Sequence, residues 1–510
     1  LFALFFKRAE DQKKVERVSK IARDALNIWQ AGVDSVRADR VLRDTVAWDG
    51  RWLHIEGAPY DLRGVDRIIV VGAGKASCGM LVGLSDSLRS SGCPLPMVIG
   101  WVQIPEGSVD PHSLELVSSA SWRVNICEAR PRGVNEPTEK VVAGTREIVR
   151  LVESAGPKDC VIVLLSGGGS ALLCLPIDGI PLNCKIEVTR SLSALGASIE
   201  QLNEVRRCLS QVKGGGLARR CHAKLMLTLI ISDVLGDPVE YIASGPTILD
   251  PPPNPENALR ILQAFCPGRD EHRTIKEFLL RASQLVADDV QSRAGAKASA
   301  KGLGFSKSLP NLSGSMLQGF WTRQSTILNH HVLANNATAV DAAGTRAVEF
   351  GYRYWMHSAK TGDGPADMFG RKLAEQLFMS SRDALVDCLI SGGEPTVVLP
   401  EASRLGRGGR NQHLVLAAGE WICSRWSKLP PCEFAILSGG TDGEDGNTTA
   451  AGAWIDHEWI ERCRRENLAL ADFLDRCDSN SIFKKTGGLL ETNATHTNVC
   501  DLRVGIYRTR

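Results

Sequence analysis

Residues 161–170 read Val-Ile-Val-Leu-Leu-Ser-Gly-Gly-Gly-Ser, and Ala171 then opens a helix-like stretch. Five consecutive apolar residues, three of them β-branched, predict a strand buried on both faces rather than a half-exposed one. Three glycines between such a strand and a helix are hard to explain by packing alone. Their unshielded amides form a cradle for a phosphate or carboxylate. The same rhythm begins at residue 65 and recurs. Arg67-Ile-Ile-Val-Val71 runs into Gly72-Ala-Gly-Lys-Ala-Ser-Cys-Gly79, and Leu225-Met-Leu-Thr-Leu-Ile-Ile231 into Ser232-Asp-Val-Leu-Gly-Asp-Pro238. Leu385-Val-Asp-Cys-Leu-Ile390 precedes Ser391-Gly-Gly-Glu394, and Phe434-Ala-Ile-Leu437 precedes Ser438-Gly-Gly-Thr-Asp-Gly-Glu-Asp-Gly446. Strand, glycine loop and helix in alternation define an α/β protein with a mostly parallel sheet.

Upstream, apolar Val15, Val18, Ile21, Ala22, Ala25, Ile28 and Trp29 recur at three- and four-residue spacing, predicting a helix within 11–46. Thr45-Val-Ala-Trp48 and Arg51-Trp-Leu-His-Ile55 flank Asp49-Gly50, which reads as a hairpin with a type I′ turn. Lys, Ser, Gly and Ala dominate from Ser292 to Gly319, a linker or mobile insertion. The expected organisation is an N-terminal α/β domain over 11–290, the insertion over 291–328 and a C-terminal α/β domain over 329–510.

A chain of 510 residues exceeds what one core usually organises, consistent with two domains. A net charge of +2 gives no support for a nucleic-acid or membrane-surface partner. No apolar run approaches the roughly 20 residues of a membrane span. The 15 cysteines are odd in number, include no C-x-x-C pair and sit largely in apolar runs, which predicts free thiols in a reducing compartment. A cytoplasmic protein is expected, with a homodimer left open. Leu1–Phe6, apolar and followed by Lys7-Arg8, leaves open the tail of a trimmed mitochondrial presequence. No histidine pattern predicts structural zinc.

Each loop carries its own chemistry. A dinucleotide fingerprint fails in the first, because Ser77 stands where the third glycine belongs, and Val102-Gln103 lacks the ribose-binding acid. No Walker A loop occurs either. Lys75, held among Gly72 and Gly74, remains as a phosphate or carboxylate ligand, the alternative being a tight turn with a solvated lysine. Ser166, Gly167, Gly168, Gly169 and Ser170 form the cradle, joined by Lys213 ahead of three glycines. Asp233, just past a strand end, holds the usual place of a catalytic carboxylate, or else serves a turn. Gly406-Arg-Gly-Gly-Arg-Asn-Gln412 offers Arg407 and Arg410 for two-pronged phosphate contacts, with Asn411 beside them. Glu394, Thr441 and Asn498 are further candidate binding residues. Asp442 and Asp445, with Glu444 between them, offer carboxylates for Mg²⁺, or form a solvated acidic turn. Together the loops describe an anion-binding cleft suited to phosphoryl transfer, where positioning and charge neutralisation dominate.

In order along residues 65–501, these motifs resemble the glycerate kinase family whose C-terminal part is the MOFRL domain. Val71-Gly-Ala-Gly-Lys75, Leu165-Ser-Gly-Gly-Gly-Ser-Ala-Leu172, Asn203-Glu-Val-Arg-Arg207, Ile231-Ser-Asp-Val-Leu-Gly-Asp-Pro238, Ile242-Ala-Ser-Gly-Pro-Thr247, Gly406–Gln412, Leu437–Gly443 and Thr497-Asn-Val499 carry the likeness. It implies an N-terminal doubly wound domain and a smaller C-terminal one with the active site between them. It also implies ATP- and Mg²⁺-dependent phosphorylation of D-glycerate, with 2-phosphoglycerate favoured, in serine and glycerate metabolism. Lys75, Asp233 and Arg407 or Arg410 fall on the family's cleft residues. The chain departs from the pattern at His413, where the family usually has Glu, and at Thr492–Val499, which lacks two glycines and a proline. An NAD(P)H-dependent hydroxypyruvate reductase and a catalytically impaired nucleotide-binding protein are the competing readings.

Overall fold

The structure is a computed structural model that describes residues 18–109, 118–119, 122–268, 272–298, 326–380, 386–492 and 495–509. The first residues, most of the expected insertion, and Asn493 lie outside them. Helix α1 (Lys20–Ser35) starts at Ser19, whose hydroxyl accepts from the Ala22 amide at 3.3 Å. α2 (Ala38–Thr45) follows almost at once, and β1 (Val46–Trp48), β2 (Trp52–Ile55) and β3 (Ala58–Asp61) form a small antiparallel sheet. The expected hairpin is present, but its turn is not type I′. Trp48 pairs with Leu53, leaving a four-residue loop that Asp49 Oδ1 closes by accepting from the amides of Arg51 (2.9 Å) and Trp52 (2.7 Å).

The main sheet of the first lobe contains β4 (Arg67–Ala73), β5 (Met97–Pro105), β6 (Ser118–Ser119), β7 (Trp122–Arg130), β8 (Asp159–Leu165), β9 (Leu225–Ile231) and β10 (Ile327–Ala334). Its order is β10-β9-β8-β4-β5-β7-β6, and every pairing is parallel except that of β6 with β7. Alternation along β4 shows why both faces are covered. Ile68 and Val70 pack with Leu81 and Leu84 of α3 (Ser77–Ser90), whereas Ile69 and Val71 pack with Ile148 and Val152 of α4 (Glu139–Glu153). All seven residues of β8 and of β9 are buried, as their continuous apolar character predicts. The chain winds outward through β4, β5 and β7, then returns to β8 and winds the other way. The reversal falls between β4 and β8, so their C-terminal ends open a crevice there.

Beyond β8 come α5 (Gly169–Leu172), α6 (Leu182–Ala194) and α7 (Ile199–Cys208), and beyond β9 come α8 (Pro255–Phe265) and α9 (Arg273–Ala298). Helices α6 to α9 share a satellite core that includes Val188, Val205, Leu262 and Leu279.

The second lobe comprises α10 (Asn336–Glu349), β11 (Tyr354–Ser358), α11 (Ala366–Ser380), β12 (Cys388–Gly393), α12 (Arg410–Arg425), β13 (Cys432–Gly440), β14 (Gly452–Asp456), β15 (Leu489–Leu490) and β16 (Asp501–Thr509), with further short helices after β14. Its sheet runs β11-β12-β16-β13-β14-β15. It is mixed, and among the described residues its only parallel pair is β11 with β12. β16 lies antiparallel between β12 and β13, so those two strands point the same way. Their glycine-rich C-terminal loops therefore emerge at one edge.

The lobes do not divide at the boundary expected from composition. α1 packs its stripe of Ile21, Ala25, Ile28 and Trp29 into the second lobe's core with Val340, Leu437 and Leu502, while Ala38, Val41 and Leu42 of α2 join the first. β10 begins at Ile327, pairs with β9 and belongs to the first sheet, and α9 continues past residue 290. An amphipathic helix records that it will be covered, not by which lobe. Among the described residues, no helix is long and apolar enough to cross a membrane.

Candidate functional site

The loop after β4 meets the loop after β8 at the point where the sheet reverses. The Lys75 amide donates to the Gly167 carbonyl at 2.8 Å, and the Ala76 amide to the buried Ser166 hydroxyl at 3.0 Å. Gly72 remains within β4, and Gly74 takes φ +151° at the turn. These contacts fix the base of Lys75 while its ammonium crosses to the second lobe. There it donates to Asp442 Oδ2 and Glu444 Oε2, each at 2.8 Å. Burial works against the lysine's charge, but the two carboxylates prevail and raise its pKa above the usual value.

A cleft of about 740 Å³ surrounds this bridge, within the range of small-molecule sites. Gly168, at φ +76°, forms part of its floor. A Cβ there would stand 3.0 Å from Arg130 Nη2 and 3.5 Å from Lys75 Cγ, so two cations converge over the glycine loop. Arg130, at the end of β7, is only 2% exposed and donates to the Val134 carbonyl. Its position at a parallel strand's C-terminal end was the available signal, but sequence reasoning did not single it out. Gly167 has no room for a side chain, since a Cβ would lie 2.0 Å from Asn498 Nδ2 and 2.3 Å from Asp233 Oδ2.

Asp233 follows β9 and lines the cleft, accepting from Asn498 Nδ2 at 3.1 Å. Burial first, then the nearby Glu394, push its carboxyl up to about 6, against the lowering influence of Lys75. Thr441 serves the adjoining strand of chain rather than the cleft. It donates to the Cys500 carbonyl at 2.7 Å and accepts from the Val499 amide at 2.8 Å, pinning the segment that carries Asn498.

Arg410, in the first turn of α12, faces the cleft. It donates to both oxygens of Asp501 at 2.8 and 3.0 Å and to Glu394 at 2.6 Å. Burial opposes its charge, and the acids overcome that and raise its pKa. Arg407 differs. Gly406, Gly408 and Asn447 line the cleft; the Arg407 guanidinium does not line it but donates to the Asn447 carbonyl at 3.2 Å, at its edge. Of the two expected arginines, Arg410 lines the cleft and Arg407 stands at its edge. Asn411 is fully buried, accepting from the Ser438 hydroxyl at 2.5 Å.

The acidic turn splits by function. Asp442 and Glu444 face Lys75, and Glu444 also accepts from Arg132 at 2.5 Å. Asp445 instead caps α12, accepting from the amides of Asn411 (3.0 Å) and Gln412 (2.9 Å) and from both of their side chains. Its oxygens are therefore engaged, which removes it from the expected metal pair. Ser170 and Lys213 do not line this cleft but a neighbouring cavity. Of the altered loop, Asn498 lines the cleft, whereas His496 and Thr497 bond toward the start of α2. The His496 carbonyl accepts from the Ala38 amide at 3.1 Å, and Thr497 donates to the Val36 carbonyl at 2.5 Å.

Five carboxyl groups line the cleft (Asp233, Glu394, Asp442, Glu444 and Asp445) against three cations (Lys75, Arg130 and Arg410). A polyanionic ligand entering such a site must be accompanied by additional positive charge. Asp233, Glu394, Asp442 and Glu444 are hard oxygen donors, but among the described residues no three of them gather closely enough to hold a metal ion by themselves.

Residues 24–279 match the domain of unknown function DUF4147, and residues 387–501 match the MOFRL family. The chain is 33% identical to the glycerate kinase of Homo sapiens, over 96% of this chain and 94% of that protein. It is 29% identical to the glycerate 2-kinase of Pyrococcus horikoshii, over 89% and 90% respectively. A crystal structure of glycerate kinase from Thermotoga maritima superposes with a TM-score of 0.67 at 28% identity, covering 95% of this chain and 99% of that one.

Proposed function

The chain belongs to the glycerate kinase family, and from that premise we propose how its cleft transfers the γ-phosphoryl group of ATP to D-glycerate. The favoured acceptor is the 2-hydroxyl, giving 2-phosphoglycerate, as the name of the Pyrococcus horikoshii relative suggests. The observation that carries this reading is the Lys75 bridge. A cation rooted at the sheet's reversal point reaches two acids of the opposite lobe, with Asp233 and Arg410 facing the same space.

Lys75 and Arg130 neutralise charge on the transferring phosphoryl group, above the Gly168 backbone of the cleft floor. The Gly169 amide already donates to the Ser166 carbonyl at 3.1 Å, so the expected three-glycine cradle is not free as a whole. Arg410, held rigidly by Asp501 and Glu394, orients a phosphate or the glycerate carboxylate. Asp233 accepts the proton of the attacking hydroxyl and returns it to solvent after transfer. Mg²⁺ would be held by Asp442 and Glu394 and would screen the phosphate charge; among the described residues no three such groups form a ready-made metal site, so substrate oxygens and water would complete its shell. As substrate arrives, Lys75 exchanges its carboxylate partners for phosphate oxygens. The reductase reading finds no support at the nucleotide position. Gln103, where a ribose-binding acid would stand, is buried and donates to Thr145 Oγ1 at 3.1 Å and to the Leu172 carbonyl at 2.9 Å.

The test is Asp233→Asn. A general base contributes roughly 10²–10⁴ in rate, so kcat should fall by about that factor. Stability should move the opposite way. The folded-state pKa lies near 6, above the ordinary 3.8, so ionisation costs stability as pH rises from about 4 to about 6, and the full cost persists above it. Removing the charge should therefore leave the thermal midpoint at pH 7.5 unchanged or raised by a few degrees. The wild-type kcat/KM should rise with pH through an inflection near 6. An Asn variant with wild-type kcat would exclude Asp233 as the base.

A further inference from the structure

Beside the cleft, and sharing Asn135 with it, lies a second cavity of about 560 Å³. Three cations from different segments converge there: Lys185 of α6, Arg206 of α7, and Lys213. Lys185 is 4% exposed and Lys213 2%. Among the described residues, no carboxylate lies within ion-pair distance of any of the three. Glu136, on the same wall, is engaged by Arg190 at 2.5 Å.

Lys213 has local acceptors, the carbonyls of Ser170 (2.9 Å) and Ala243 (3.3 Å) and the Ser244 hydroxyl (3.4 Å). Taken alone, it reads as a strut between two loops. Lys185 reaches the Leu209 carbonyl at 3.1 Å and the weak acceptor Cys174, on the same wall. That is thin compensation for a buried ammonium, and packing alone would be served better by Met or Leu. Burial lowers the pKa of all three groups, Cys174 opposes it at each, and the cations repel one another: Arg206 depresses Lys185, and both depress Lys213. A cluster of this kind is built at a cost in stability that a bound anion removes.

We propose that this cavity is an oxyanion site, taking a carboxylate or a phosphate group. The oxyanion chemistry stands on the cavity alone; only its source rests on the kinase reading. That reading supplies two, the carboxylate of glycerate and a phosphate of the nucleotide, and free inorganic phosphate is a third.

Titration calorimetry on the full chain separates them, using D-glycerate, a non-hydrolysable ATP analogue with Mg²⁺, and inorganic phosphate as probes. The variants are Lys185→Met/Arg206→Met and, as a charge-conserving control, Arg206→Lys. The proposal predicts that the double variant weakens binding of one probe by tenfold or more, with a thermal midpoint at or above wild type. Arg206→Lys should keep most of that probe's affinity. Whichever probe loses affinity identifies the source. Wild-type affinity for all three probes in the double variant would overturn the proposal. So would a lowered midpoint in the double variant, since the cations would then be serving the fold. The failure of Asp233→Asn to affect kcat would bear on the kinase mechanism and leave the calorimetric result unaffected.

Discussion

Replacing Lys75 with Met is expected to reduce kcat/KM by about a thousandfold, the effect of deleting a preorganised charge aimed at a transferring phosphoryl group. Methionine keeps much of the stem's volume, so the loops joined by the Lys75 amide and the Ser166 hydroxyl remain in register. What disappears is the cation that ties the lobes together, leaving Asp442 and Glu444 without their shared partner. Glu444 retains Arg132, so the remaining repulsion is modest and the thermal midpoint should fall only slightly. Adding Glu444→Gln relieves that repulsion without touching Asp442 and should restore the midpoint without restoring turnover. This separation matters, because a lysine that merely stapled the lobes would regain activity along with stability. Steady-state kinetics and differential scanning calorimetry on the two variants decide between these roles.

Arg410→Ala should be the most destabilising single change in the cleft. Asp501 is 0% exposed, and its carboxylate receives two hydrogen bonds from this guanidinium. Removing one member of a fully buried ion pair costs about 3–5 kcal/mol; the Arg410 side chain is 34% exposed, so solvent reaching the site brings the loss toward the lower end of that range. Activity should drop at least a hundredfold at temperatures where the protein is still folded. Arg410→Lys retains the charge but not the two parallel bonds, so it should recover part of the stability and little of the rate. Urea unfolding and kinetics measured on the same preparations test both claims. Arg407→Ala provides the contrast. Its guanidinium reaches only the Asn447 carbonyl at 3.2 Å on the rim, so its effect on either measurement should be small.

Much of the first lobe was legible because its physics is local. A continuous apolar run followed by glycines can be read without knowing its neighbours, and β4, β8 and β9 lie where those runs predict. Lys75 and Asp233 were legible for the same reason, since both sit at strand ends. The rest depends on contacts distant in sequence. Nothing in Cys388–Gly393 or Cys432–Gly440 announces that the last strand, Asp501–Thr509, will insert between them and run against both. Asp445 looked like a metal ligand beside Asp442, but it is claimed by the first turn of a helix more than thirty residues earlier. Arg130 carried only its place at a strand end, and its convergence on Lys75 exists only once β7 has taken its place beyond β5. The lobe assignment of α1 was hidden because its apolar stripe fits either core equally well.

Incubating the purified chain with ATP, Mg²⁺ and D-glycerate, while following ADP release and the phosphorus NMR spectrum, addresses the core of the account. One ADP should form per glycerate consumed, together with a single new phosphomonoester whose coupling marks the secondary carbon of 2-phosphoglycerate. ATP turnover that is independent of glycerate, or the absence of any phosphorylated glycerate under conditions where the protein is folded and binds nucleotide, would contradict it.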